Sequence, residues 1–160
     1  RNPLMASYNG EYVTEYSNVK AEDNMFSINA TLEMDSPGQA NSESIGQTQY
    51  SGTGGALSFT WASYESKGGT AVLCLPSTFR DKEGNLHSKI KANLSNGSVV
   101  TIPRSVTSTI ATEFGVANIK GLSLWARAES LINLAHPDFR DELAKEAEKM
   151  NIWRRSNKIN

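Results

Sequence analysis

Apolar and polar positions alternate most cleanly in MFSINATLEMD, where Phe26, Ile28, Ala30, Leu32 and Met34 fall on one face. A period of two predicts a half-buried strand with that face inward. SPGQANSES follows as turn chemistry, with Pro37-Gly38 as the breaker. Beyond the glycine-rich YSGTGG, the stretch ALSFTWASYESK reads as a helix stopped by Gly68-Gly69 at its C′ position. TAVLCLP is a continuous apolar run between turn signals and predicts a buried strand. STFRDKEGNLHSKIKANL predicts a hairpin turning at Glu83-Gly84-Asn85, and SVVTIP a strand ended by Pro103. STIATEFGVANIKG, rich in β-branched residues, predicts one or two strands with a turn at Gly115.

The last quarter changes period. SLWARAESLINLA and PDFRDELAKEAEKM are helical, the second with Phe139, Leu143, Ala147 and Met150 on one stripe. Pro137 near its start, with Asp138, Asp141 and Glu142, suits the N-terminal end of a helix dipole. Residues 1–22 are a polar, Tyr-rich lead-in without a sustained period, and 151–160 a tail expected to fray. Strands alternating with helices on short links predict an α/β domain, an open mixed sheet flanked by helices.

The 160 residues suffice for one domain with a core. A net charge of −1 argues against nonspecific nucleic-acid binding, which needs a basic face. No apolar run approaches a membrane span, and no signal peptide is visible. The single cysteine, Cys74, lies in an apolar run and cannot form an internal disulfide, so a cytoplasmic protein is expected. Two isolated histidines and one cysteine do not make a metal site. The chain opens on Arg1 with no initiator, as a piece of something longer would.

Gly52, Gly54 and Gly55 directly precede the predicted helix. A turn of this kind offers bare backbone N–H groups at the positive end of a helix dipole, suited to a phosphate, a carboxylate or a developing oxyanion. It lacks the Lys-Ser/Thr of a P-loop and the spacing of a dinucleotide fingerprint, and the same residues would serve a tight turn with no ligand.

Four stretches in one order carry a wider resemblance. ANSESIGQTQYSGTGGALSF, LPST with its charged hairpin, VVTIPRSVTSTIATEFGVANIKG and RAESLINLAHPDFRDEL resemble the C-terminal half of the acetyl-CoA hydrolase / 4-hydroxybutyrate CoA-transferase family, over about residues 20 to 148. The resemblance implies a CoA-transferase-type α/β domain, one of two related domains with the active site between them. It implies CoA exchange between a short-chain acyl-CoA and a free carboxylate, with no permanently bound cofactor. A glutamate attacks the thioester, and an acyl-glutamyl anhydride and then a glutamyl-CoA thioester follow, splitting one hard exchange into two easier ones. That glutamate matches no residue here and is expected upstream, in an N-terminal domain of the same protein. Homo-oligomers are common in the family.

By the same resemblance the loop's opening and closing residues, Ser51 and Gly55, contact CoA, while Gly52 and Gly54 shape the turn. A backbone N–H near Gly55 is the candidate oxyanion donor. Arg80 and Lys82, past LPST, are the cationic options for CoA phosphates, or the members of a solvated hairpin. The family often has Asn where Ser51 stands, and Asp where Ser58 stands. Glu43 and Glu113 are expected to brace backbone or loop rather than attack, Arg104 to pair with an internal carboxylate, His136 to bond locally, and His87 to be exposed. Trp61, Trp125 and Trp153 are expected to pack. Three alternatives stand beside transfer: acyl-CoA hydrolysis, a non-catalytic CoA-binding or assembly domain, and, disfavoured by the motifs, a sugar-phosphate isomerase on a similar sheet.

Overall fold

The computed structural model describes residues 2–153. It begins with two short helices, α1 (Gly10–Thr14) and α2 (Tyr16–Ala21), and strand β1 (Phe26–Ala30). Four short strands follow: β2 (Glu33–Asp35), β3 (Ala40–Asn41), β4 (Ser44–Ile45) and β5 (Thr48–Gln49). Next come α3 (Ala56–Glu65), β6 (Thr70–Cys74), the hairpin β7 (Thr78–Arg80) and β8 (Leu86–Ser88), and β9 (Ile90–Lys91). The chain closes with β10 (Thr109–Thr112), β11 (Gly115–Asn118), α4 (Leu124–Leu134) and α5 (Pro137–Lys149).

The central sheet runs β1-β6-β10-β11, parallel through its first three strands and antiparallel at the last pair. It is the open mixed sheet that the pattern predicts. α3 packs on β1 and β6, α4 on β11, with α2 behind α3 and α5 behind α4. Leu73 and Ile110 from the sheet join Leu131, Ile132, Leu143 and Ala147 from the helices in one core. The helical stripe of α5 holds: Leu143 and Ala147 are buried, and Phe139 and Met150 pack against the core. No helix among the described residues is long and apolar enough to cross a membrane.

The excursions between the parallel strands build a second, smaller sheet, β3-β2-β9, with Met34, Ala40, Ile90 and Ile102 fully buried around it. Here the structure departs from the pattern. The predicted strand over Phe26–Met34 is two strands in two sheets. The Thr31 hydroxyl donates to the Glu33 and Asn41 carbonyls at 3.2 and 2.7 Å, turning the chain out of the central sheet. In β1 the burial is also opposite to the prediction: Ser27 is buried, while Phe26 and Ile28 are 59% and 66% exposed.

SVVTIP is not a strand. The Ser98 hydroxyl and the Val99 N–H are drawn onto Glu33 and the Ser44 hydroxyl, and one bridge, Ala40 to Ile102, remains. α3 ends at Glu65, and Gly68, with φ +73°, lies one residue beyond the C′ position. Gly115 opens β11, leaving the turn to Glu113-Phe114. The lead-in is partly helical. The Asn9 side chain accepts the Tyr12 N–H at 2.9 Å, and Glu65 gathers the Tyr16 hydroxyl, Lys20 and the Trp61 ring N–H. Of the expected frayed tail, Ile152 is instead buried, its N–H donating to Ala147 at 3.0 Å, and residues 154–160 lie outside the described residues.

Candidate functional site

The glycine loop hangs from Glu43. Its carbonyl accepts the N–H groups of Tyr50 and Ser51 at 2.7 and 3.1 Å. Its carboxylate accepts from the hydroxyls of Thr53 at 2.8 Å and Thr101 at 3.0 Å, and from the Gln49 amide at 3.4 Å. The Thr53 and Thr101 hydroxyls, with smaller help from Gln49, hold the Glu43 carboxyl below the usual glutamate range against the opposing effect of burial. Glu43 is therefore a loop brace, the role its place in SESIG suggested.

The brace is itself anchored inward. Asn41 Oδ1 accepts the N–H groups of Glu43 and Ser44 at 3.1 and 3.0 Å, and Asn41 Nδ2 donates to Glu33 at 3.1 Å. Glu33 is buried and also accepts from Lys91 Nζ at 2.7 Å and from the Ser95 and Ser98 hydroxyls at 2.7 and 2.6 Å. Burial opposes its charge, but the Lys91 ammonium and the Ser98, Ser95 and Asn41 donors outweigh it and hold the carboxyl at about 2. Sequence reasoning missed this knot. Glu33 stands on an ordinary strand, and its partners lie 8 to 65 residues away.

Beyond the brace, Ser51, Gly52, Thr53 and Gly54 are exposed and Gly55 half-buried. Gly54 has φ +60°, a left-handed conformation that glycine adopts without a Cβ penalty. Gly55 caps α3 with no side-chain acceptor, and the first turn of the helix contains no acid. Ser58, in place of the family's Asp, lies in that turn, so no carboxylate there offsets the positive helix end. A Cβ on Gly55 would sit 3.1 Å from the Phe59 ring and 3.3 Å from the Thr14 methyl. The loop is thus a fixed, open set of donors at a helix N-terminus.

Arg80 and Lys82 stand apart from it. Arg80 Nη1 donates to the Gly84 carbonyl at 2.7 Å, and Lys82 is exposed in the turn. Asp81 holds that turn together, accepting from the Glu83 and Asn85 N–H groups at 2.9 Å and facing His87 Nε2 at 2.7 Å. His87 is exposed, as expected. Neither the loop nor these cations line the cavities of 210, 370 and 620 Å³ elsewhere in the domain.

The remaining readings divide. Glu113 does brace backbone, accepting the Ser77 N–H at 2.9 Å and its hydroxyl at 2.6 Å, though from an exposed turn rather than a buried one. His136 caps α5, its Nδ1 accepting the Asp138 N–H at 3.3 Å. Arg104 is exposed and forms no direct ion pair among the described residues, but its charge favours the ionised form of the buried Asp35, a longer-range version of the expected pairing with an internal carboxylate.

The sequence that carries this loop matches a known family. The family model for the acetyl-CoA hydrolase/transferase C-terminal domain matches residues 1–147. The chain belongs to that family. It is 52% identical over 98% of its length to a butyryl-CoA:acetate CoA-transferase of Anaerostipes caccae, and 42% identical over 92% to a 4-hydroxybutyrate coenzyme A transferase of Clostridium kluyveri. It spans about a third of these curated relatives, 35% and 34% of their lengths. RipA from Yersinia pestis superposes with a TM-score of 0.79 at 44% identity, covering 89% of this chain and 31% of that one. A 4-hydroxybutyrate CoA-transferase from Porphyromonas gingivalis superposes at 0.72 with 32% identity, covering 93% and 33%.

Proposed function

We propose that this acetyl-CoA hydrolase/transferase domain is the C-terminal part of a CoA-transferase that moves CoA between a short-chain acyl-CoA and a free carboxylate. The observation carrying this reading is the braced glycine loop at the start of α3, in a chain 52% identical to a butyryl-CoA:acetate CoA-transferase. The loop receives CoA through Ser51 and the backbone at Gly55, with Gly52 and Gly54 setting its shape. A backbone N–H near Gly55 faces the oxyanion of the tetrahedral intermediates. One such donor contributes about 2.7–4 kcal/mol to the transition state. Arg80 and Lys82, exposed on the hairpin, are the cations that meet CoA phosphates in this reading.

The nucleophilic glutamate belongs to the N-terminal part of the protein. Neither Glu43 nor Glu113 suits the role, because each already holds hydrogen-bond donors that would be lost on acylation. The working protein is a cytoplasmic homo-oligomer in this reading, and CoA is its substrate, not a resident cofactor.

Product analysis on the full-length protein tests the proposal. With acetyl-CoA as donor and butyrate added, the expected product is butyryl-CoA together with free acetate. Free CoA formed equally with and without butyrate would mean hydrolysis. No reaction with any short-chain acid would leave a non-catalytic CoA-binding domain.

A further inference from the structure

The peptide between Gly54 and Gly55 carries the N–H assigned above to the oxyanion. Gly54 lies at φ +60° and Gly55 at φ −95°. With no Cβ on either residue, this peptide has little of its own to fix it. The Glu43 brace reaches the loop at Thr53. Beyond that point, two groups close on Gly55. One is the Phe59 ring, one turn into α3, 3.1 Å from where a Cβ of Gly55 would lie. The other is the Thr14 methyl, 3.3 Å from the same point and from a distant part of the chain.

Thr14 is itself fixed. It is half-buried, and its hydroxyl donates to the Gly10 carbonyl at 2.8 Å, one helical turn back. On a β-branched side chain such a bond selects the rotamer, and with it the direction of the methyl. The lead-in around it is moored to α3. Val19 of α2 is buried. Glu65, at the end of α3, accepts from the Tyr16 hydroxyl, from Lys20 Nζ at 2.6 Å and from the Trp61 ring N–H at 2.8 Å. The Tyr16 and Trp61 rings lie 5.2 Å apart, and the Ser66 hydroxyl donates to the Glu22 carbonyl at 2.6 Å. Sliding α2 along α3 would break these bonds, so Thr14, just before α2, is held against the loop.

We propose that Thr14 is a positioning residue for CoA transfer: its methyl seats Gly55 so that the loop N–H meets the developing oxyanion. It acts through Gly55 and rests on the reaction proposed above. The lead-in thereby gains a role beyond packing. Seating of this kind matters most to a donor used in the transition state, because a displacement of about 1 Å costs on the order of 10²-fold in rate.

Two near-isosteric substitutions in the full-length protein separate position from stability. Thr14→Ser keeps the hydroxyl and removes the methyl; Thr14→Val keeps the methyl and removes the hydroxyl. Transfer from acetyl-CoA to butyrate is measured well below the Tm of each protein, so that all are fully folded. Thr14→Ser should lower kcat about three- to tenfold, as a shift of a fraction of an ångström would, with KM for acetyl-CoA unchanged. Thr14→Val should lose far less. Equal kcat in the two variants would overturn the proposal. In a Gly55→Ala background the sign should reverse, because the new Cβ presses on the methyl: adding Thr14→Ser should raise kcat. A further loss there would also overturn it. A second readout does not depend on the reaction. The Phe59 N–H donates to the Gly55 carbonyl at 3.0 Å, and its hydrogen exchange should be faster in Thr14→Ser than in the wild type or Thr14→Val. Equal exchange in all three would overturn the proposal even where CoA is transferred. Wild-type protein that transfers no CoA would instead sink the proposed reaction, and the exchange rates would still decide whether Thr14 seats Gly55.

Discussion

Ser51–Gly55 and Asp81–Asn85 are two of the solvent-facing turns of this domain, and each is anchored by a carboxylate. For the hairpin the anchor is its own Asp81, which binds the Glu83 and Asn85 backbone within four residues. For the glycine loop the anchor is Glu43, and behind it Asn41 and Glu33 reach the interior. The first turn is a self-contained knot that would keep its shape on another scaffold. The second is positioned by the fold, so a displacement of the small β3-β2-β9 sheet is felt at Ser51. Precise placement is what a site for developing charge needs, and only the glycine loop has it.

That contrast can be broken at several points. The largest effect is expected at Gly55→Val, whose side chain meets Phe59 and Thr14. CoA transfer by the full-length protein should fall by about 10²–10³-fold, the scale of one lost oxyanion donor, while circular dichroism stays native. Next is Glu33. Its folded pKa, about 2, lies below the ordinary 4.5, so the unfolded chain binds a proton between these values that the folded one does not. Stability from this group is full above pH 4.5 and is lost as pH falls toward 2, about 3 kcal/mol in all. Urea midpoints measured from pH 6 to pH 3 should fall in the wild type, and Glu33→Gln should flatten that fall.

Glu43→Gln keeps an acceptor for one hydroxyl and loses the other. We expect kcat/KM to fall about tenfold, one hydrogen bond's worth, with Thr53→Val similar and the two together not additive. Lys82→Ala should be the mildest. KM for acyl-CoA should rise about threefold with kcat unchanged, and the difference should vanish at high salt.

Helices α3, α4 and α5 and the parallel strands were legible in the sequence because each satisfies a local rule, whereas α1 and α2 lay in a lead-in with no sustained period. α5 has Pro137 at its start and an apolar stripe, and β6 is an unbroken apolar run. The face of β1 was not legible. Alternation shows that two faces differ, but which one is packed within this domain depends on α3, thirty residues on. SVVTIP failed for a related reason. Its strand propensity is real, but Glu33 and Ser44 capture its polar groups from across the fold. At the site, the glycines announce their loop through backbone need alone. Glu43 shows itself only through its motif, and the Asn41–Glu33 support through nothing local.

The most direct measurement is to trap the covalent intermediate. The full-length protein is incubated with acetyl-CoA, treated with borohydride or hydroxylamine, and its peptides are searched for a modified glutamate. The account predicts one modified glutamate upstream of Arg1, with the modification lost in Gly55→Val. Modification of Glu43 or Glu113, or none in protein that still transfers CoA, would contradict it.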